Sequence, residues 1–279
     1  MKLSDMKQLL AARGILLTKS LGQNFLHDGN QLRRIAAAAE LQPDDSVLEI
    51  GPGLGPLTAL LLTGAGRVLA IEKDRRLVEV LQHRFDGQPK LQLEHADALE
   101  YLRGRQDWSG WKMVSNLPYS VASPLLVELA QAECGPKRMV ATLQWEVVQR
   151  ILAAAGEPDY GLLSLLVQLE YRPVNHFRIP PGCFHPEPEV DSGCLVLERR
   201  EGRAGSTAAW RELWLRIVKR AFSQRRKMML KLLKADWPEA RLAAGFADAG
   251  LDRRTRAETV SREQFIRLAD YLSSTSATV

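Results

Sequence analysis

The tetrapeptide Asn116-Leu117-Pro118-Tyr119 brings together a side-chain amide, a carbonyl held before a ring-locked proline, and an aromatic face. An amine attached to an aromatic ring is a poor nucleophile, because its lone pair is conjugated with the ring. Acceptors on both of its N–H groups, here the Asn116 side-chain oxygen and the Leu117 carbonyl fixed by Pro118, would turn that lone pair toward an electrophile such as a sulfonium methyl. Tyr119 would then offer a face to a base lifted out of its stack. The amine loses its proton only after transfer, so positioning and electrostatics would carry most of the rate. A turn closed by an Asx-type cap is the alternative, and the tetrapeptide alone leaves both open.

A second constellation lies upstream. Glu49-Ile-Gly51-Pro-Gly53-Leu-Gly55-Pro-Leu-Thr58 follows an apolar run and opens a helical pattern, and glycines in such a turn let the backbone approach a ligand closely. The GxGxG spacing, with Pro56 where a dinucleotide turn would continue, and the acid Glu49 two residues before the first glycine favour S-adenosylmethionine over a dinucleotide. Polar residues then close successive strand patterns. Glu72 is suited to ribose hydroxyls, Asp97 to an adenine amino group, and Asn116 to the reacting centre. In an open α/β sheet the carboxyl ends of the strands line one crevice, so these residues would converge. Each acid taken alone reads equally as a solvated strand end or a helix cap.

The elements that must position these residues are strands at Ser46–Ile50, Arg67–Ile71, Lys90–Glu94, Trp111–Ser115 and Arg138–Leu143. Helices are expected between them, at Pro56–Thr63, Asp74–Phe85, Pro124–Ala132 and Glu146–Ala154. The alternation implies right-handed βαβ units and a mostly parallel sheet. Leu162–Leu169 and Gly193–Leu197 read as further strands. After a linker at Glu201–Thr207 the pattern is wholly helical, over Ala208–Phe222, Gln224–Lys234, Pro238–Ala249 and Arg262–Ser273, with Ser261 as a cap for the last. The expected organisation is an α/β domain over 1–200, with an N-terminal helical arm over 1–30, and an all-helical domain over 201–279.

With 46% hydrophobic and 25% charged residues over 279, the chain has the composition of a soluble globular protein. No apolar run approaches the roughly 18 residues that span a bilayer. Cys134, Cys183 and Cys194 are widely spaced, which argues against a disulfide framework or a zinc site and for a reducing, cytoplasmic compartment. No membrane and no metal is expected, and a monomer is the default. Charge is uneven. Residues 199–234 carry twelve Lys or Arg against Glu201 and Glu212, while the whole chain is only +5, so the remainder is net acidic. A basic segment on an acidic protein suggests a polyanionic partner, with a solvated helix face as the alternative. Lys219, Arg220, Arg225, Arg226, Lys227 and Lys231 are the candidate phosphate contacts.

The set of motifs resembles the bacterial KsgA family of ribosomal RNA adenine dimethyltransferases over nearly the whole chain and in the family's order. The matching segments are Lys19–Leu26, the glycine loop Glu49–Thr58, Asn116–Tyr119, Tyr160–Ser164, the Pro-rich loop Phe184–Ser192, Ala221–Lys227 and Arg256–Glu258. The resemblance implies a Rossmann-like class I methyltransferase fold with a seven-stranded sheet. It implies S-adenosylmethionine held by Asn24, Leu26, Gly51, Gly53, Glu72, Asp97 and Asn116. It implies a target adenine handled by Asn116, Leu117, Pro118 and Tyr119, with Phe184 stacked on its other face. The bland reading of Phe184 is a core anchor beneath a Pro-rich turn.

The implied partner is 16S rRNA of the small ribosomal subunit, with dimethylation of N6 on two neighbouring adenines and a role in late subunit assembly. Two segments depart from the family pattern: Trp145 replaces a lysine, and Met228-Met229-Leu230-Lys231 replaces Thr-Leu-x-Asn, with Lys231 where the asparagine is usual. Three rivals remain at this point. One is the related large-subunit dimethylase of macrolide resistance, which usually has isoleucine at Leu117. The others are an assembly factor whose methylation is secondary and an NAD-linked oxidoreductase.

Overall fold

The computed structural model describes residues 1–15, 24–104, 107–201, 207–224 and 226–274. The chain divides into two compact units, Met1–Val148 with Tyr171–Arg199, and Gln149–Glu170 with Arg200–Val279. Gln149–Glu170, expected in the α/β domain, therefore joins the later helices. Backbone and phenol hydrogen bonds account for this: Tyr160 donates through its hydroxyl to the Val260 carbonyl at 2.8 Å, and Gly156 N–H donates to the Glu258 carbonyl at 2.8 Å.

In the first unit α1 (Leu3–Ala12), β1 (Phe25–Leu26) and α2 (Gly29–Ala38) precede an alternating series. This runs β2 (Ser46–Ile50), α3 (Pro56–Gly64), β3 (Arg67–Glu72), α4 (Arg75–Arg84), β4 (Leu91–His95), α5 (Ala98–Arg103), β5 (Trp111–Asn116), α6 (Ala122–Gln131) and β6 (Arg138–Gln144). Then α7 (Trp145–Leu152) and α8 (Leu162–Gln168) lead to β7 (Tyr171–Ile179), β8 (Phe184–His185) and β9 (Ser192–Arg199). Seven strands form one sheet in the order β4-β3-β2-β5-β6-β9-β7, with β2 to β6 parallel and β9 antiparallel to both β6 and β7. β1 pairs separately with β8, setting Leu26 opposite Phe184.

The order reverses between β2 and β5. After β2 the chain moves outward through β3 and β4, then returns to start the other half at β5. A crevice opens at the carboxyl ends of the strands at such a reversal. The two strands are stitched there by the Ser115 hydroxyl, which accepts from Ile50 N–H at 2.8 Å in a fully buried position. The helices begin where acids can cap them. Asp74 accepts from Arg76 N–H, and Asp97 accepts from Leu99 and Glu100 N–H. Caps of this kind are typically worth about 1 kcal/mol.

The opposite end of the sheet is closed by Asp45. Its carboxylate, 2% exposed, takes Lys112 at 2.8 Å and Lys137 at 2.5 Å, and accepts from Gln42 N–H at 2.7 Å. Its backbone carbonyl accepts from Gly66 and Arg67 N–H, so one residue ties the starts of β2, β3, β5 and β6. These bonds hold the carboxyl below its ordinary range, although burial pushes the other way.

In the second unit α9 (Ala208–Ala221), α10 (Met229–Leu233), α11 (Glu239–Asp248) and α12 (Arg262–Ser274) pack with α8. Phe222 lies between Tyr160 and Phe265, with ring centroids 6.2 and 6.1 Å away. Ser261 caps α12 in a reciprocal box with Gln264, as the sequence leads one to expect.

Three local readings are corrected. Leu162–Gln168 is a helix rather than a strand, its entry fixed by Gly161 N–H donating to the Ser164 hydroxyl. The helix expected over Gln224–Lys234 is confined to Met229–Leu233, with Met229 N–H drawn to the Thr255 carbonyl. Tyr171–Ile179, unassigned from sequence, is the edge strand of the sheet.

Replacing Asp45 with alanine leaves Lys112, 9% exposed, without its carboxylate. The expected loss of stability is on the order of 3 kcal/mol, read as a lowered urea midpoint with an unchanged slope.

Candidate active site

A cavity of about 160 Å³ lies at the reversal between β2 and β5. Its walls come from the turn after β2 (Ile50, Gly51, Gly53), the end of β3 (Ile71, Glu72, Lys73), the turn after β4 (Ala96, Asp97, Ala98, Leu99) and the loop after β5 (Asn116, Leu117, Pro118, Ser120, Val121). Asn24, Phe25, Leu77 and Leu125 complete it. Gly51, Gly53, Glu72, Asp97 and Asn116, all expected to hold a cofactor, thus meet at one cleft through their ordered strand ends, and Asn24 joins them from the N-terminal segment. Lys19–Gln23 of the N-terminal motif lie outside the described residues.

Gly51, Gly53 and Gly55 all take positive φ, between 62° and 77°. Space is short as well. A Cβ on Gly51 would stand 3.2 Å from the Pro118 ring, and one on Gly53 would stand 2.7 Å from the Phe25 ring. The loop is therefore clamped between the N-terminal segment and the Asn116–Tyr119 turn.

Glu72 is 6% exposed. Its two carboxylate oxygens accept separately from Gly53 N–H at 3.2 Å and Asp74 N–H at 2.9 Å. Burial raises its pKa, and the backbone donors oppose the rise. Asp97 holds the start of α5 with one oxygen and Lys73 Nζ at 2.8 Å with the other, and Lys73 holds its carboxyl below the usual range. Asn116 donates through Nδ2 to the Asn24 carbonyl at 3.0 Å, which fixes the amide plane. Its Oδ1 is buried with no partner among the described residues. A buried acceptor left unpaired costs about 1–3 kcal/mol, so this oxygen is poised to take an incoming N–H.

Three predicted residues stay out of the cleft. Leu26 and Phe184, 2% and 3% exposed, face each other across β1 and β8 inside a hydrophobic cluster with Leu32, Ile35 and Phe177. Phe184 is the core anchor of its Pro-rich turn in this arrangement. Phe25, whose ring presses on Gly53, lines the wall in place of Leu26. Tyr119 does not line the cavity either: its half-buried phenol hydrogen-bonds to the Ser192 hydroxyl at the start of β9. Residues that sequence reasoning passed over include Lys73 and Leu99. Their adjacency to Glu72 and Asp97 at strand ends was the available signal.

The profile of the family described as ribosomal RNA adenine dimethylase matches residues 16–274. The chain belongs to that family. Proteins called ribosomal RNA small subunit methyltransferase A are similar over almost their full length. That of Geobacter metallireducens is 38% identical over 93% of this chain and 97% of its own, and that of Moorella thermoacetica is 38% identical over 94% of each. Among solved structures, the 23S rRNA methyltransferase ErmE superposes with a TM-score of 0.68 at 29% identity, covering 90% of this chain and 100% of its own. A dimethyladenosine transferase from Plasmodium falciparum reaches 0.79 at 23% identity, over 90% and 98%, a likeness of fold. The fold is that of class I S-adenosylmethionine-dependent methyltransferases.

S-adenosylmethionine is the cofactor of this family. The residues present fit it. The side-chain-free loop at Gly51 and Gly53 allows close backbone approach, and the Glu72 carboxylate keeps lone pairs beyond those used by Gly53 and Asp74 for a ribose diol. Asp97 has acceptor capacity for an adenine amine, and Ile71 and Leu99 add apolar surface to the same cavity. When bound, the cofactor supplies an electrophilic sulfonium methyl.

Behind the loop, Glu49 is 1% exposed and its Oε2 has no partner among the described residues. Complete burial, and further the nearby Glu72 carboxylate, push its pKa up to about 8 against the opposing Thr58 hydroxyl. Between the ordinary value of 4.5 and about 8 the folded chain holds a proton that the unfolded chain has released. Stability therefore falls as pH rises through this window, by at most about 1.4 kcal/mol per pH unit. Glu49→Gln cannot ionise, so its stability relative to the parent should increase steadily from about pH 5 to about pH 8. Parallel urea curves across that pH series would contradict the buried, protonated carboxyl.

Proposed function

We propose that this protein dimethylates N6 of adenine in the 16S RNA of the small ribosomal subunit, on two neighbouring adenines, and acts late in subunit assembly. The unpartnered Oδ1 of Asn116 carries the reading. It accepts one N–H of the target amine, and the Leu117 carbonyl, held by Pro118, accepts the other. The nitrogen lone pair then leaves the plane of the base and points at the methyl group, while Tyr119 supports the base from one face. The attacking nitrogen becomes cationic as its new bond to carbon forms, and the two acceptors stabilise that developing charge. One amine proton then passes to solvent, which restores a neutral monomethyl amine for the second round.

The small-subunit branch is favoured by the relatives named small subunit methyltransferase A, by Leu117, and by the Phe184–Ser192 loop. The substrate RNA is held by its phosphates. Lys219, Arg226, Lys227 and Lys231 are exposed and carry no ion pair among the described residues, so their charge is available to an anion. Arg220 differs: it and Arg216 share the Asp236 carboxylate at 2.6 and 2.7 Å. Arg225 lies outside the described residues. No helix among the described residues is long and apolar enough to cross a membrane. On this reading the protein works in the cytoplasm, as a monomer, without a metal.

Labelled methyl groups should pass from S-adenosylmethionine to unmethylated small subunits and appear as N6,N6-dimethyladenosine. Asn116→Ala should cut that transfer by about 10²-fold or more, while cofactor affinity changes by less than about tenfold. Label confined to large-subunit RNA would move the protein to the resistance-type branch. Arg226→Ala combined with Lys227→Ala should weaken RNA binding uniformly across sequences. It should also reduce the salt slope by about one for each phosphate no longer neutralised, with cofactor titrations unchanged.

A further inference from the structure

Ser192 is fully buried, yet its hydroxyl reaches the phenol of Tyr119, 73 residues away in sequence. Ser192 opens β9, with Gln144 of β6 opposite it on one side and Ile179 of β7 on the other. Its neighbour Asp191 accepts from Trp145 N–H at 2.9 Å through the backbone and pairs with Arg178 at 2.9 Å through the side chain. The Arg178 guanidinium stacks 4.4 Å over the Trp145 ring. The indole also fills the space that Gly193 leaves: a Cβ there would stand 2.6 Å from Trp145 Cε3. Trp145, the departure from the family's lysine, is thus a packing element that braces the start of β9.

Tyr119 sits in the turn between β5 and α6, and its phenol hydrogen-bonds to the Ser192 hydroxyl of the sheet. Anchoring a ring at its para oxygen fixes the first side-chain torsion and the direction of the ring's long axis. Because phenol hydrogen bonds prefer the ring plane, it also favours one orientation of the face about that axis. Burial keeps the phenol neutral by raising its pKa, so it remains a hydrogen-bonding group.

We propose that Ser192 is a positioning residue for methyl transfer: its hydroxyl, held in the sheet by the Trp145–Arg178–Asp191 brace, clamps Tyr119 so that the aromatic face presents the target base to the acceptors of Asn116 and Leu117. The proposal rests on the base-methylating reading above. It assigns the Pro-rich loop a mechanical role that acts from Ser192, the end that Phe184 does not reach. The clamp acts on orientation, so its loss lowers turnover more than binding.

The test removes one hydrogen bond from each side. Ser192→Ala and Tyr119→Phe should each lower kcat by roughly tenfold, with KM for the RNA and affinity for S-adenosylmethionine within about twofold. The double variant should fall no further than either single one, since both delete the same bond. Independently of any RNA, tyrosine labelled with carbon-13 at Cζ gives one resonance for each of the five tyrosines. The Tyr119 resonance, assigned by its absence in Tyr119→Phe, should shift in Ser192→Ala. Wild-type kcat in either single variant, or a roughly hundredfold loss in the double, overturns the proposal. A shifted Tyr119 resonance in a protein that methylates only another RNA supports the clamp and removes the small-subunit assignment instead.

Discussion

The close approach of Pro118 to Gly51 and of the Phe25 ring to Gly53 is the contact on which the rest of the first unit's chemistry depends. Through it three stretches remote in sequence share one surface: the N-terminal segment, the turn after β2 and the turn after β5. A methyl group added to either glycine would displace a ring that cannot retreat. Pro118 is fixed by its own backbone, and Phe25 is packed among Met6, Leu10, Ile15, Leu54 and Leu77. The amide of Asn116 is then oriented by the Asn24 carbonyl one residue before Phe25, so the loop's close packing and the reacting group's alignment are one constraint.

The parallel sheet separates two electrostatic tasks along its strands. At the amino ends the charges are satisfied: Asp45 gathers Lys112 and Lys137, and Arg138 joins Glu40 and Glu198. At the carboxyl ends they are left incomplete. Glu72 and Asp97 spend part of their accepting capacity on backbone N–H groups or Lys73, and Asn116 Oδ1 has no partner among the described residues. The closed end supplies stability, and the open end keeps free valence for ligands. This division follows from topology, because successive crossovers bring every parallel strand's carboxyl end to the same edge.

Much of this was legible from the chain alone, for a definite reason. Buried parallel strands such as Ser46–Ile50 and Arg138–Gln144 are mostly apolar, and the polar residues that follow such runs have one place to go. Glu72, Asp97 and Asn116 could therefore be ordered into a site before any coordinates. What escaped depends on pairings that no local pattern encodes. Tyr171–Ile179 carries Pro173 and alternates with exposed Arg172 and Arg178. An edge position tolerates this, with Val174 bulged out of the ladder between Pro173 and Asn175. Leu162–Gln168 is apolar along most of its length, and such a run is compatible with a buried strand or a buried helix. The burial of Leu26 and Phe184 is decided by a two-residue ribbon that joins segments far apart in sequence. Motif resemblance placed Leu26 at the cofactor and the Phe184 ring on the target base, whereas the ribbon turns both side chains into the core.

The lone acceptor at Asn116 also bears on how the reaction stops. An unmodified adenine amine brings two hydrogens, one for Oδ1 and one for the Leu117 carbonyl. Each methyl that arrives takes the place of one of them, and a dimethylated nitrogen has none to give. The buried oxygen that gained a partner from the substrate gains none from the product, which therefore forgoes the stabilisation of about 1–3 kcal/mol that the substrate received. On the proposed chemistry the pocket in effect counts hydrogens. It grips the base while any remain and loosens when they are spent, so release of the finished RNA needs no separate signal.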